Sequence, residues 1–184
     1  MGGDHGPPVI LSAAVKAIQL HPHIRFTLCG DKSVIESGIT ALTSEERDRV
    51  DIVHCSQVVE MGEAPTSALR NKKDSSMRRA LERVKSGQAN ACVSAGNTGA
   101  LLTLSFYLLK TLSGIDRPAL INMLPTTSNH NVFLLDLGAN VNCTPEILFQ
   151  YGVMGSVLAQ EVSGITSPRV ALLNVGEEDI KGNA

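Results

Sequence analysis

The chain has 184 residues, enough for one sizeable core, and its formal net charge of −2 excludes a global electrostatic case for nucleic acid. Aromatic residues make up 3 % of it and Trp is absent, which excludes base-stacking platforms of the single-strand-binding kind. No apolar run reaches the ~18 residues of a membrane span, and no basic start leads into an apolar core, so the expectation is a cytoplasmic α/β protein with one domain over residues 1–184.

Gly2-Gly3-Asp4 has the composition of a turn that follows a strand, so the chain is expected to be a piece of a larger α/β protein. Val9, Ile10, Ala13, Ala14, Ala17, Ile18 and Leu20 recur at helical spacing, and His21-Pro22 stops that helix. Ile24 to Cys29 predicts a strand, Asp31 to Ser37 a short helix, Asp51 to His54 a second strand, and Met61 to Ser67 a loop. Ser75 to Gly87 is amphipathic, with Met77, Ala80, Leu81 and Val84 on one face and Gly87 as the stop. A strand Ala91 to Ser94, a helix Thr98 to Leu112 and strands at Ala119 to Met123 and Val132 to Leu135 follow. Thr144-Pro145-Glu146 is a helix start with a capping hydroxyl, Pro in the first turn and an acid behind it, and the helix runs to Val162 before a last strand, Arg169 to Asn174. Strands alternating with helices at this spacing predict an open, largely parallel sheet with helices on both faces.

Small polar turns follow four of these strand ends: Gly2 to His5, Ser94 to Gly99, Asp136 to Asn140, and Asn174 to Glu178. In a doubly wound sheet such turns line one crevice. Backbone N–H groups of a Gly-Asn turn at the start of a helix favour an anion, against the alternative of plain connections with positive φ. Neither G-x-G-x-x-G nor a P-loop occurs, which removes the main support for dinucleotide or nucleotide binding. Asp4, Asp136 and Glu177 to Asp179 have no recognisable metal-ligand spacing, so no metal and no cofactor is expected. His5 is read as a solvent-exposed turn histidine, and Ser94 has no sequence partner that would make it a nucleophile. Cys29, Cys55, Cys92 and Cys143 form no Cys-x-x-Cys pair and are read as reduced core residues.

Seven of the sixteen positions from Arg70 to Lys85 are basic, against Asp74 and Glu82, so a locally positive face is expected in an acidic chain. An acidic protein or an anionic membrane suits it, and so does plain solvation. Gly152, Gly155 and Ser156 allow close approach of a second subunit or of a neighbouring element of the same chain.

Six motifs, in order, are Met1-Gly2-Gly3-Asp4-His5-Gly6-Pro7, Ser94 to Ala100, Gly114 to Ala119, Asp136 to Asn140, Met154-Gly155-Ser156, and Ser167 to Glu178. Together they closely resemble the bacterial phosphate acyltransferase family known as PlsX. The resemblance implies an enzyme that moves a fatty acyl group from acyl carrier protein to inorganic phosphate, giving acyl phosphate for a membrane glycerol-3-phosphate acyltransferase. It also implies a fold like that of phosphotransacetylases and isopropylmalate-type dehydrogenases, a homodimer, peripheral membrane association, and a chain lacking most of the family's first strand and roughly its second half. A coenzyme-A-dependent short-chain phosphotransacetylase and a non-catalytic phosphate-binding module are the alternatives. Phosphate is already a nucleophile and a thioester already activated, so the site needs only to hold phosphate and stabilise an oxyanion. The residues assigned to phosphate are Gly3, Asp4, Ser94, Gly96, Asn97, Thr98, Gly138 and Asn140, with Asn97 and Asn140 side chains as donors and Lys181 as the neutralising cation. Acyl carrier protein, which is acidic, is assigned to Arg70, Lys72, Lys73, Arg78, Arg79 and Arg83.

Overall fold

The structure, a computed structural model, describes residues 1–127, 130–138 and 143–173. Two compact units divide the chain, Met1–Lys110 and Thr111–Ala184.

In the first unit helix α1 spans Gly6–Leu20. It starts earlier than the apolar periodicity because Pro7 and Pro8 occupy the first turn, where a missing N–H costs nothing. Its C-terminal carbonyls are taken by Arg49, whose Nη2 donates to Ile18 O at 2.8 Å and whose Nη1 donates to His21 O at 3.0 Å and Ile24 O at 3.1 Å. Strand β1, Phe26–Gly30, pairs in parallel with β2, Val50–His54, in the register Phe26↔Val50 to Gly30↔His54. Between them lie α2, Lys32–Gly38, and α3, Ser44–Arg47. Asp31 caps α2 by accepting from Ser33 N at 2.9 Å and Val34 N at 3.2 Å. Thr43 and Glu46 form a reciprocal capping box on α3, a helix the periodicity did not predict but the Thr-Ser-Glu-Glu spelling carries.

Side chains alternate along the strands, so Phe26, Leu28, Val50 and Ile52 all pack onto a core of Leu11, Ile18, Ile35, Ile39 and Leu42 from the α1 and α2 side. A second core lies among α4, Pro65–Asn71, α5, Ser76–Lys85, and α6, Thr98–Leu109, with Ala68, Met77, Leu81, Ala100 and Leu104 at its centre. Helix α5 also reaches β1. Gly87, at φ +73°, ends α5 as expected, with Gln88 N donating back to Arg83 O at 2.9 Å.

Three expectations are corrected. The Met61 to Ser67 loop contains the start of α4, with Pro65 at its first turn. Ala91 to Ser94 makes no ladder, and Val93 is 96 % exposed, because an extended apolar run becomes a strand only where a neighbour takes its N–H and C=O groups. The described part of the last expected strand, residues 169–173, makes no ladder either, with Val170, Leu172 and Leu173 exposed.

In the second unit β3, Ile121–Pro125, pairs with β4, Asn131–Leu135, antiparallel rather than parallel. The connection of five residues, 126–130, is too short for the crossover that a parallel pair needs. Helix α7, Pro145–Ser163, packs against β4. A Cβ on Gly155 would lie 2.8 Å from Leu135 Cδ1, so a contact within this unit accounts for that glycine, whereas one on Gly152 would make only an ordinary contact at 3.4 Å with Val170 Cγ1. The protein is thus an open α/β structure whose parallel pair is flanked by helices.

Candidate active site

Helix α6 presents its N-terminus directly after Ser94-Ala95-Gly96-Asn97, the small polar run singled out in the sequence. Asn97 is the N-cap: its Oδ1 accepts from Ala100 N at 2.9 Å. Its Nδ2 donates to Glu60 O at 3.2 Å, Met61 O at 2.9 Å and Glu63 O at 2.9 Å. With the residue only 8 % exposed, both amide hydrogens are spent on protein carbonyls rather than held ready for a ligand. Gly96 N donates to Ser94 Oγ at 3.2 Å, which fixes the hydroxyl beside the turn. The N–H groups of Thr98 and Gly99 have no partner among the described residues. They stand at the positive end of a helix of 12 residues.

The N-terminal turn lies against this run. A Cβ on Gly3 would sit 2.9 Å from Ala95 O and one on Gly2 2.9 Å from Val59 O, and both glycines have positive φ, +85° and +90°. No other residue fits there without moving the backbone. Ser76, buried at the start of α5, holds the turn by donating from Oγ to Met1 O at 3.2 Å and accepting from the Met1 amino group at 3.4 Å. A cavity of about 120 Å³ opens between the turn and Ala95, with Gly3, Asp4, His5 and Gly6 on its wall. It has room for a small tetrahedral anion, since one water occupies about 30 Å³. Helix α1 also begins here but offers no donors, because Gly6 N is bonded to Gly3 O at 3.3 Å and Pro7 and Pro8 carry no N–H. Asp4 and His5 are exposed.

Two of the four expected turns therefore meet, Gly2 to His5 and Ser94 to Gly99. Gly138, at φ +86°, follows β4 in the second unit. Asn140, Lys181 and the turn from Asn174 to Glu178 lie outside the described residues.

The basic stretch is more internally paired than its composition implied. Arg78 bonds Glu82 at 2.9 Å, Arg79 bonds Asp74 at 2.9 Å and Glu82 at 3.3 Å, and Lys72 faces Glu63 at 3.9 Å. Arg83 donates to Gln88 at 2.7 Å and Lys73 to Leu69 O at 3.1 Å. Arg70 makes no polar contact among the described residues. Asp74 accepts from Ser56 Oγ at 2.7 Å and Ser56 N at 2.8 Å as well as from Arg79, and these bonds hold its carboxyl down at about 2.

Burial, with Cys55 nearby, pushes the Cys29 thiol up to about 11, and burial raises Cys55 and Cys92 too. Thiols in this state are protonated at neutral pH and poor nucleophiles. The residues missed from sequence were the carbonyls of Glu60, Met61 and Glu63, which sit 34 to 37 positions from Asn97 and carry no local signal. Ser76, whose role depends on Met1 75 positions away, carried no local signal either.

A family model described as fatty acid synthesis protein matches residues 1–184, the whole chain. The chain belongs to that family. Curated relatives named phosphate acyltransferase include those of Halorhodospira halophila, 55 % identical over 183 residues, and Pseudoalteromonas atlantica, 56 % identical over 184 residues. That of Pseudomonas syringae pv. syringae is 56 % identical over 183 residues. All of this family member's length is covered in each case, but it spans only 53 %, 54 % and 53 % of those relatives, about half.

Proposed function

We propose that this chain forms part of an enzyme that transfers a fatty acyl group from acyl carrier protein to inorganic phosphate, giving acyl phosphate. The observation that carries the reading is the pair of open N–H groups of Thr98 and Gly99 at the start of α6, after the Ser94 to Asn97 run, in a chain of the fatty acid synthesis protein family. Backbone amides at a helix start suit a phosphate whose oxygen attacks the thioester carbonyl. The thioester carbon–sulfur bond then breaks, a phosphate–acyl bond replaces it, and the proton given up by hydrogen phosphate goes to the leaving sulfur as the carrier's thiol. Ser94 and Gly96 shape the cradle, with Gly3 at its wall. Gly138, Asn140 and Lys181 are proposed as further phosphate ligands of the enzyme, as donors and as the neutralising cation. Asp4 is placed at the rim, where its carboxylate favours the less charged forms of phosphate.

The acidic acyl carrier protein is assigned to the Arg70 to Lys85 face. Internal pairing of Arg78 and Arg79 shifts the weight of that docking onto Arg70, Lys73 and Arg83. A second copy of the chain and a membrane glycerol-3-phosphate acyltransferase as the consumer of acyl phosphate belong to the same reading, as does attachment to the membrane surface. No helix among the described residues is long and apolar enough to cross a membrane.

The test uses the full-length protein with long-chain acyl carrier protein and labelled phosphate. Formation of labelled acyl phosphate is expected. Activity with acetyl-coenzyme A and none with the acylated carrier overturns the reading in favour of a short-chain phosphotransacetylase, and phosphate binding without transfer overturns it in favour of a binding module.

A further inference from the structure

We propose that in the full-length protein the outer edge of β1 and residues 91–94 are bridged by a parallel strand, formed by the residues that lead into Met1, an inference independent of the acyltransferase reading. Phe26 N donates to Arg49 O at 2.9 Å and Cys55 N to Gly30 O at 2.8 Å, so Phe26, Leu28 and Gly30 turn their backbone groups towards β2. By the alternation of a strand, the N–H and C=O groups of Thr27 and Cys29 point to the opposite edge. That edge has no ladder among the described residues, since β1 pairs with β2 alone. Ala91 to Ser94 have strand composition and alternate between exposed and half-buried, yet their backbone makes no hydrogen bond among the described residues. A parallel ladder is stable inside a larger sheet covered on both faces, where every such group finds a partner.

The N-terminal turn fixes where this strand ends. Asp31 N, next in the alternation after Thr27 and Cys29, donates to Met1 Sδ at 3.3 Å, and a Cβ on Gly30 would lie 3.4 Å from Met1 Cγ. Two residues further on, a Cβ on Gly3 would lie 2.9 Å from Ala95 O. Met1 thus stands at the head of the open edge of β1 and Gly3 at the head of residues 91–94, and a chain that reaches Met1 along that edge runs parallel to both. Two residues of chain span at most about 7 Å, a separation that suits one strand with a neighbour ~4.8 Å to either side. Cys92 packs against the core of α4, α5 and α6, and α5 also reaches β1, so the two runs lie against the same helix. A strand between them lies where both buried clusters meet, which calls for about four or five residues, apolar on both faces and without Pro. It would also hold the Gly2-Gly3 turn against Ala95 from the N-terminal side.

Residue-resolved amide exchange in the full-length protein, with and without the residues before Met1, tests the assignment. Thr27, Cys29 and residues 92–94 are expected to exchange roughly a hundredfold slower when those residues are present, while Leu28, bonded to β2 in either case, changes by less than about tenfold. Equal exchange at Thr27 and Cys29 in the two proteins overturns it: fast exchange leaves the edge to water, and slow exchange gives it to another segment or to a second copy. If the shortened protein does not fold, a proline placed two positions before Met1 takes its part, since proline removes a ladder donor. Faster exchange at Thr27, Cys29 and residues 92–94, with Leu28 little changed, is then expected, and unchanged exchange at Thr27 and Cys29 overturns the proposal.

Discussion

Asp74 shows how a single side chain can organise a surface without being part of the chemistry. Its two oxygens take Ser56 N, Ser56 Oγ and Arg79 Nε, while its own N–H donates to Gln57 Oε1 at 2.8 Å, so it joins the segment after β2 to the start of α5. The bonds from Ser56 lead, with Arg79 behind them, in holding the carboxyl at about 2, below the ordinary carboxylate value of ~3.9. A folded-state value below the unfolded one means that this contribution is present above pH ~4 and is lost as pH falls towards 2. Asp74→Asn is therefore expected to be less stable than the parent at pH 7, with the gap closing between pH 4 and 2. Urea midpoints at pH 7, 4 and 2.5 measure it, and a gap of constant size across that range contradicts the assignment.

At the scale of elements, what was legible in the sequence was local. Periodicity, with stops such as Gly87, placed α1, α2, α5, α6 and α7, although the expected capping hydroxyl of Thr144 makes no cap hydrogen bond on α7, and β-type runs placed β1, β2, β3 and β4, because each signal lies within a few residues of what it specifies. The losses came where a neighbour decides. Ala91 to Ser94 has strand composition and no ladder, and the orientation of β3 against β4 depended on loop length rather than on either strand. In the site, the anion-prone turn before α6 was legible, whereas the engagement of Asn97 by carbonyls from another loop was not. Gly38 is a further case of a neighbour deciding, since a Cβ there would collide with Leu11 Cδ1, which lets α2 lie close on α1. Alanine at this position, the last residue of α2, gains at most about 1 kcal/mol of helix propensity and loses about 1–3 kcal/mol to overpacking. Gly38→Ala is expected to destabilise the parent and to cost less in a Leu11→Ala background, where Cδ1 and Cγ are gone and only the Cβ of residue 11 remains, 3.1 Å away. A double-mutant cycle from urea unfolding reads this coupling, and additive effects rule out the contact as the reason for glycine.

The molecule as a whole distributes its core unevenly. Both buried clusters, the one under α1 and α2 and the one among α4, α5 and α6, lie within Met1–Lys110. In the second unit all five residues of β3 are exposed, and the described buried side chains are Ile147, Tyr151 and Ala159 of α7. Resistance to opening follows buried apolar area, so the first unit is expected to be the more protected one. The chain at the boundary of the first unit helps to report this. Lys110 ends α6 at φ +68° and ψ −175°, a backbone region that suits glycine rather than lysine, and its side chain is exposed. Arg117, seven residues further along, is exposed as well. Trypsin is therefore expected to cut first after Lys110 or Arg117 and to leave a fragment covering residues 1–110 that persists while the remainder is digested. Amide exchange is expected to be slowest in β1, α5 and α6 and fast throughout β3. If both halves vanish at one rate, or if β3 exchanges as slowly as β1, the two units open together and the stability of the candidate site depends on the second as much as on the first.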